Sequence, residues 1–372
     1  MMEQNLRVPG PTPLPAAVRE AQAAAMVDHR GSEFAEMLRE LTGGIASLIG
    51  TDGRVLLLTG SGTGALEASV VNTCSPGDRV LSVSIGAFGE RYAQIAEAFG
   101  ASVERLSFEW GDAAEPQRLA AHLADARPYH AVLLTHNETS TGVANPLREL
   151  VEAVRGAPGE PLTLVDGISS LGAIPFEMDA WGVDVVTSAS QKAWMGSPGI
   201  AIIALGERAW TARETARMPR FYWDLAEAAS WAEKGQTPWT PAVSVLFGLR
   251  VGVRLLTEEG PEVTWARHAR IAAQAQAGLE ELGMRLVAAP ERRSATVTAA
   301  WLPDGLDWSG FNAAMRAKGL VIAGGQGKWA GRILRMGHMG QVAPEEIADA
   351  LAVLGGTLEE LGLRTDPVTV AR

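Results

Sequence analysis

Between residues 55 and 205, short apolar runs alternate with stretches of helical spacing, and this alternation limits the possible folds more than any other feature of the chain. The runs at 55–58, 80–83, 103–108, 131–135, 162–165, 183–187 and 200–205 read as strands. The stretches at 65–72, 90–99, 116–126 and 147–155 read as helices between them. Strands this uniformly apolar need cover on both faces, and intervening helices provide it while returning the chain to start the next parallel strand. The expectation is an α/β fold with a mainly parallel sheet between helices. A Trp- and Pro-rich stretch at 218–241 reads as irregular, and a long helical stretch follows through Gly283 with an interruption near 258–260. Beyond it, strands at 295–302 and 333–336 mix with helices at 309–318 and 344–361, as in a smaller α+β domain. The division expected is an N-terminal segment over 1–15, a large domain over 16–257 and a small C-terminal domain over 258–372.

Two apolar runs lead into charge. Asp166 closes Leu162-Thr163-Leu164-Val165-Asp166, and Lys192 closes Thr187-Ser188-Ala189-Ser190-Gln191-Lys192. In open α/β sheets, groups at the carboxyl ends of strands line a site. An ionised aspartate can hold a pyridine nitrogen protonated, and a lysine deprotonated in a dry pocket can form a Schiff base with an aldehyde. Together they meet the requirements of pyridoxal 5'-phosphate (PLP). Alone, they also read as an ordinary strand-end aspartate and a surface lysine.

Gly60-Ser61-Gly62-Thr63-Gly64 follows a strand and opens a helix. Small residues let backbone N–H groups reach a phosphate at a helix N-terminus, and the hydroxyls of Ser61 and Thr63 can add donors. A P-loop would need a Gly-Lys-Ser/Thr ending, which is absent. A dinucleotide fingerprint would need Gly-x-Gly-x-x-Gly and an acid after the second strand, whereas Asp78 precedes that strand. A plain tight turn remains open.

Other candidates are weaker singly. Phe88, after the next strand, offers a ring for stacking or is an ordinary core aromatic. The loop His136-Asn137-Glu138-Thr139-Ser140-Thr141-Gly142 offers hydroxyls to a phenolic oxygen or a phosphate, and Ile168 can pack under a ring. Arg335 sits in a strand of the small domain, where a guanidinium suits a carboxylate, with Arg332 as local competitor. His338 reads as structural, and no Cys, His and acid cluster has metal-ligand spacing, so no metal is expected.

Composition narrows the class. The 372 residues are 47% hydrophobic with a net charge of −11, which suits a globular enzyme and argues against nucleic acid as a partner. The lone Cys74 precludes an intramolecular disulfide framework, and no apolar run reaches signal or membrane-spanning length. A cytoplasmic protein is expected.

Taken in order, these motifs resemble those of class V, fold-type I PLP-dependent aminotransferases, close to the alanine–glyoxylate and serine–glyoxylate group. The resemblance spans nearly the whole chain. It also includes Pro9-Gly10-Pro11-Thr12-Pro13, Asp28-His29-Arg30-Gly31-Ser32-Glu33-Phe34 and Gln236-Thr237-Pro238-Trp239-Thr240-Pro241. It implies that Lys192 carries the cofactor and shuttles the substrate Cα proton, while Asp166 pairs with the pyridinium. It assigns Ser61, Gly62, Thr63 and Gln191 to the phosphate, and Thr139 to the phenolic oxygen. Ile168 and Phe88 would take the two ring faces, Arg335 the substrate carboxylate, and Gly10 and Pro11 the border of the substrate site. Gln236, Thr237 or Thr240 would reach the phosphate of a neighbouring subunit in a homodimer. Phe88 stands where some relatives carry Trp, and some place a Tyr near Gln236, so the cross-subunit contact departs from their pattern. Small neutral donors such as alanine or serine follow from a single clear carboxylate-binding arginine. Arg30, Arg220 or Arg332 would serve a second carboxylate in an aspartate-using enzyme. A cysteine desulfurase would need a nucleophilic cysteine near the site, which Cys74 is poorly placed to provide. Kynureninase-type hydrolysis and a non-catalytic relative complete the alternatives.

Overall fold

Seven strands form the central sheet of the computed structural model, in the order 54–60, 199–205, 185–189, 162–166, 131–135, 79–84 and 102–107. The structure describes residues 4–363, so the outer ends of the expected terminal segments, 1–3 and 364–372, lie outside it. From 185–189 to 102–107 all neighbours run parallel, and 199–205 is antiparallel to both of its neighbours. Strands Ala131–Thr135, Leu162–Asp166 and Val185–Ala189 are buried at every position, which is why their sequences are nearly continuous apolar runs. Their side chains alternate between two cores. Val132 packs on one face with Leu41, Leu150 and Leu249, and Leu133 on the other with Leu66, Val70 and Ile203.

A second sheet of four strands has the order 5–7, 320–324, 333–337 and 297–301. Its core joins Leu334 and Met336 to Ile271, Phe311, Met315 and Leu354 from the covering helices. The first strand, Asn5–Arg7, pairs in parallel with Leu320–Gly324, so the N-terminal segment belongs to this sheet before it crosses toward the large one. Arg7, 1% exposed, is held there by Glu346 at 2.9 Å.

Three details differ from the sequence expectations or sharpen them. The stretch 218–241 is not wholly irregular: Leu225–Ala232 is a helix, capped by Asp224, whose carboxylate accepts from Ala226 N at 2.9 Å and Glu227 N at 3.3 Å. The strand expected at 183–187 lies at Val185–Ala189, and Asp184 just before it binds Thr163 twice, accepting from Thr163 N at 2.8 Å through its carboxylate and donating from its own N to Thr163 O at 3.1 Å. The interruption near 258–260 is Gly260, whose φ of +85° separates helices Val243–Glu259 and Pro261–Glu281.

Parallel strands deliver their carboxyl ends to one rim. Thr135, Asp166 and Thr187 lie side by side in the ladder, and strand Arg54–Gly60 points the same way as Val185–Ala189. The turn at 60–62 and the loops beginning at His136, Gly167 and Ser190 therefore converge.

Candidate active site

At that rim a cavity of about 160 Å³ is lined by Ser61, Gly62, Thr63, Phe88, Thr139, Asp166, Ile168, Gln191 and Lys192, together with Arg91, Asn137 and Ser169. Nine residues singled out in the sequence thus meet in one place. Asp166 ends its strand and is 4% exposed. Burial pushes its carboxyl up to about 7, Ile168 N donating to Oδ1 at 2.9 Å opposes this, and the nearby Lys192 and Arg91 oppose it further. A cationic partner at this carboxylate would favour the ionised form.

Lys192 is partly buried, and burial brings its ammonium down to about 8, against the pull of Asp166. The charges of Arg335 and Arg91 lower it further. Its Nζ donates to the Pro9 carbonyl. Gly10, with φ +108°, lies so close that a Cβ there would meet Nζ at 2.6 Å. Thr12 fastens the segment, donating from N to Gln191 O at 3.1 Å and from Oγ1 to Lys192 O at 3.1 Å. Pro11, next to Gly10, is exposed.

Ser61 is the N-cap of helix Gly62–Thr73, yet no side chain caps it, and both Ser61 and Thr63 are exposed. The first-turn amides and two hydroxyls therefore face the cavity as an anion-accepting end. On the far wall, Thr139 Oγ1 donates to Ser169 Oγ at 2.8 Å, which in turn donates to Asn137 O at 3.0 Å.

Glu138, in the same polar loop, supports the site in a way the sequence reading did not single out. Its buried carboxylate accepts from Phe88 N at 3.1 Å, Gly89 N at 3.2 Å, Ser140 N at 3.0 Å and Ser140 Oγ at 2.6 Å. Burial raises its pKa while those donors oppose the rise. The result fixes the turn that presents Phe88, against which Arg91 stacks with Cζ 4.8 Å from the ring centroid. Its only sequence signal was a carboxylate in an otherwise hydroxyl-rich loop, a pattern that does not announce burial.

Arg335 is 6% exposed and lies outside the lining set, with Nε donating to Gly324 O at 2.8 Å and Nη1 to Thr139 O at 3.2 Å. Burial lowers it to about 10, and the Glu138 charge opposes that. Arg332 instead lies over Trp301, 5.5 Å from the ring centroid. His338 is buried and bonded to Thr298 Oγ1 at 2.9 Å and Ala295 O at 3.2 Å, and it does not line the cavity.

Gln236, Thr237 and Thr240 do not line the cavity of their own chain. Gln236 Oε1 and Thr237 O accept from Arg30 Nη1 at 3.2 and 2.6 Å, and Thr237 Oγ1 donates to Trp239 O at 2.7 Å. Gln236 and Thr237 face instead a groove of about 300 Å³ shared with Leu38, Thr42 and edge-strand residues such as Leu57. Cys74 is buried outside the cavity at the end of helix Gly62–Thr73, where burial pushes its thiol up to about 12.

These residues fit PLP. The uncapped helix end suits its phosphate, and Phe88 and Ile168 offer apolar surface to its ring. Gln191 Oε1 and Asn137 Oδ1 are buried in the walls with no partner among the described residues, leaving polar capacity for a polar ligand.

Known proteins match nearly the whole chain. The family model described as "Aminotransferase class-V" matches residues 16–336. A Synechococcus protein named as the small subunit of a soluble hydrogenase is 39% identical, the match covering 96% of this chain and 93% of that one. The L-aspartate–glyoxylate aminotransferase of Paracoccus denitrificans is 34% identical over 98% of this chain and 93% of its own. Among solved structures, the alanine–glyoxylate aminotransferase of Nostoc sp. superposes with a TM-score of 0.92 at 29% identity, covering 96% of each chain. The chain belongs to the class-V aminotransferases and is a PLP-dependent transaminase of fold type I.

Proposed function

We propose that this class-V aminotransferase moves the amino group of a small neutral amino acid, alanine or serine, to a 2-oxo acid such as glyoxylate or pyruvate. The observation that carries this reading is the buried Arg335, just behind the cavity lining, oriented by Gly324 O and Thr139 O and close enough for its charge to lower the lysine. A guanidinium held in this way binds one α-carboxylate with little reorganisation. Lys192, brought down to about 8, has a substantial neutral fraction at mildly alkaline pH and can take the Cα proton and return it. Asp166 would hold negative charge for the ring nitrogen, Phe88 and Ile168 would take the ring faces, Thr139 would serve its phenolic oxygen, and Ser61, Gly62, Thr63 and Gln191 would hold the phosphate. PLP, when bound, supplies the electron sink. Gly10 and Pro11 border the substrate. Donor and acceptor use the same groups in turn, as in ping-pong transfer.

We also place the active unit as a homodimer. Gln236, Thr237 and Thr240 lie outside their own cavity, and Phe221, at 78% exposure, is an apolar side chain for a partner to cover. The one cysteine suits the cytoplasm.

A second reading, an aspartate-using enzyme, is favoured by Arg91, which lines the cavity and has no carboxylate partner among the described residues. It would meet a side-chain carboxylate. Comparing kcat/KM for L-alanine, L-serine and L-aspartate with glyoxylate as acceptor separates the two. The first reading expects the neutral donors to lead. An L-aspartate preference that disappears in R91A would move the assignment to the second.

A further inference from the structure

The glycines of the phosphate-side turn are required by neighbouring side chains. A Cβ on Gly62 would meet Ile168 Cδ1 at 2.7 Å, and one on Gly60 or on Gly64 would meet the indole of Trp223 at 2.6 Å. Neither Gly60 nor Gly64 has a positive φ, so close approach, not backbone conformation, is what demands glycine there. The indole thus lies against both ends of Gly60-Ser61-Gly62-Thr63-Gly64.

Trp223 is itself tied to the elements that flank the turn. Its carbonyl accepts from Asn72 Nδ2 at 2.6 Å, and Leu225 N donates to Asn72 Oδ1 at 3.0 Å. Asn72 is fully buried and lies in helix Gly62–Thr73, the helix that begins at the turn. One residue earlier, Tyr222 OH donates to Thr59 O at 3.1 Å, on the strand that enters the turn. Residues 222–225 therefore clasp both the incoming strand and the outgoing helix, with the indole wedged behind the turn. Ser61 and Thr63 are exposed, so on the side away from Ile168 the indole is the wall that fixes their backbone.

We propose that Trp223 is a positioning residue for the phosphate end of the cofactor: without touching the ligand, it fixes the turn that carries Ser61, Gly62 and Thr63. This rests on the assignment of those three residues to the phosphate. Donors held rigid before binding give up little freedom on binding, so loosening the turn weakens the capture of phosphate and leaves the ring contacts alone.

The test uses the full-length chain freed of cofactor, titrated in parallel with PLP and with pyridoxal, which lacks the phosphate. W223L is expected to weaken PLP binding about tenfold while leaving pyridoxal binding unchanged. Equal loss for both ligands, or no loss for either, overturns the inference. W223F, which retains a ring behind the turn, is expected to restore most of the PLP affinity. A reciprocal pair keeps the question open to refutation if W223L is poorly folded. G64A is expected to impair PLP binding in the wild-type chain by forcing the indole away, and to be much less harmful beside W223F, where the ring is smaller. Strict additivity of the two substitutions overturns the contact. T63V separates this inference from the reading beneath it. If T63V leaves the preference for PLP over pyridoxal intact, the phosphate assignment falls and the inference with it. If T63V reduces that preference and W223L does not, only the role of Trp223 falls.

Discussion

Lys192 Nζ donates to the carbonyl oxygen of Pro9, a residue 183 positions earlier in the chain. The strand just before Pro9 belongs to the small sheet, whereas Lys192 follows a strand of the large one. The reactive amine is therefore held by the segment that joins the two sheets, and Thr12 binds the same segment to the backbone of Gln191 and Lys192. Substitutions in this segment should act on the lysine.

Gly10 is the sharpest case. Alanine there would be strained at φ +108°, and its methyl would meet Nζ at 2.6 Å. G10A is expected to lose at least about 1 kcal/mol of stability from the backbone strain. It should also slow the capture of PLP by Lys192, followed as the visible absorbance of the bound cofactor. A capture rate equal to wild type would show that the segment does not control the lysine.

The pH dependence of that capture follows from the lysine. Only the neutral amine attacks an aldehyde, and burial brings Lys192 from the ordinary 10.5 down to about 8. The rate of PLP capture by the cofactor-free chain should therefore rise as pH increases through about 8 and level off above it. A rate still climbing toward pH 10 would mean that the lysine is not desolvated as described.

Glu138 gives a structural prediction. E138A would leave the buried N–H groups of Phe88, Gly89 and Ser140 without their acceptor, at a cost of roughly 1–3 kcal/mol. E138Q keeps the shape but must turn an amide N–H toward some of those donors, so it too should melt below wild type. Both should release Phe88, altering the near-ultraviolet dichroism of the bound cofactor. Unchanged melting in E138A would show that the carboxylate does not hold the turn.

Much of this site was legible in the sequence because parallel strands impose it. Asp166 and the lysine loop each follow a run that reads as a strand, and parallel strands deliver their carboxyl ends to one rim. The roles of Phe88 and Ile168 came with the family resemblance, since neither stood out alone, whereas the Ser61–Thr63 turn was marked by its small residues between a strand and a helix. What could not be read depends on distant packing. Glu138 and Arg91 gain meaning only when the loop after strand Ala131–Thr135 meets the turn before helix Ala87–Ala98. The helix Leu225–Ala232 was hidden by the Trp and Pro residues around it, although its own sequence is rich in alanine and capped by Asp224. Strand Asn5–Arg7 is three residues long and takes its place only from its partner Leu320–Gly324.

Arg335 tests substrate binding. R335A should raise the KM of amino donor and oxo acceptor together, by about ten- to a hundredfold for a lost charge-assisted clamp. A fall in kcat with both constants unmoved would remove Arg335 from carboxylate binding.

The central claim is that Lys192 and Asp166 run amino transfer from a small donor. It is tested most directly by the visible spectrum of the PLP-loaded protein before and after L-alanine, with no acceptor present. The account predicts that the band of lysine-bound cofactor gives way to that of the amino form as pyruvate appears, one per site, and that K192A, still folded, shows no such conversion. A band that neither L-alanine nor L-serine moves, or full conversion in K192A, would contradict it.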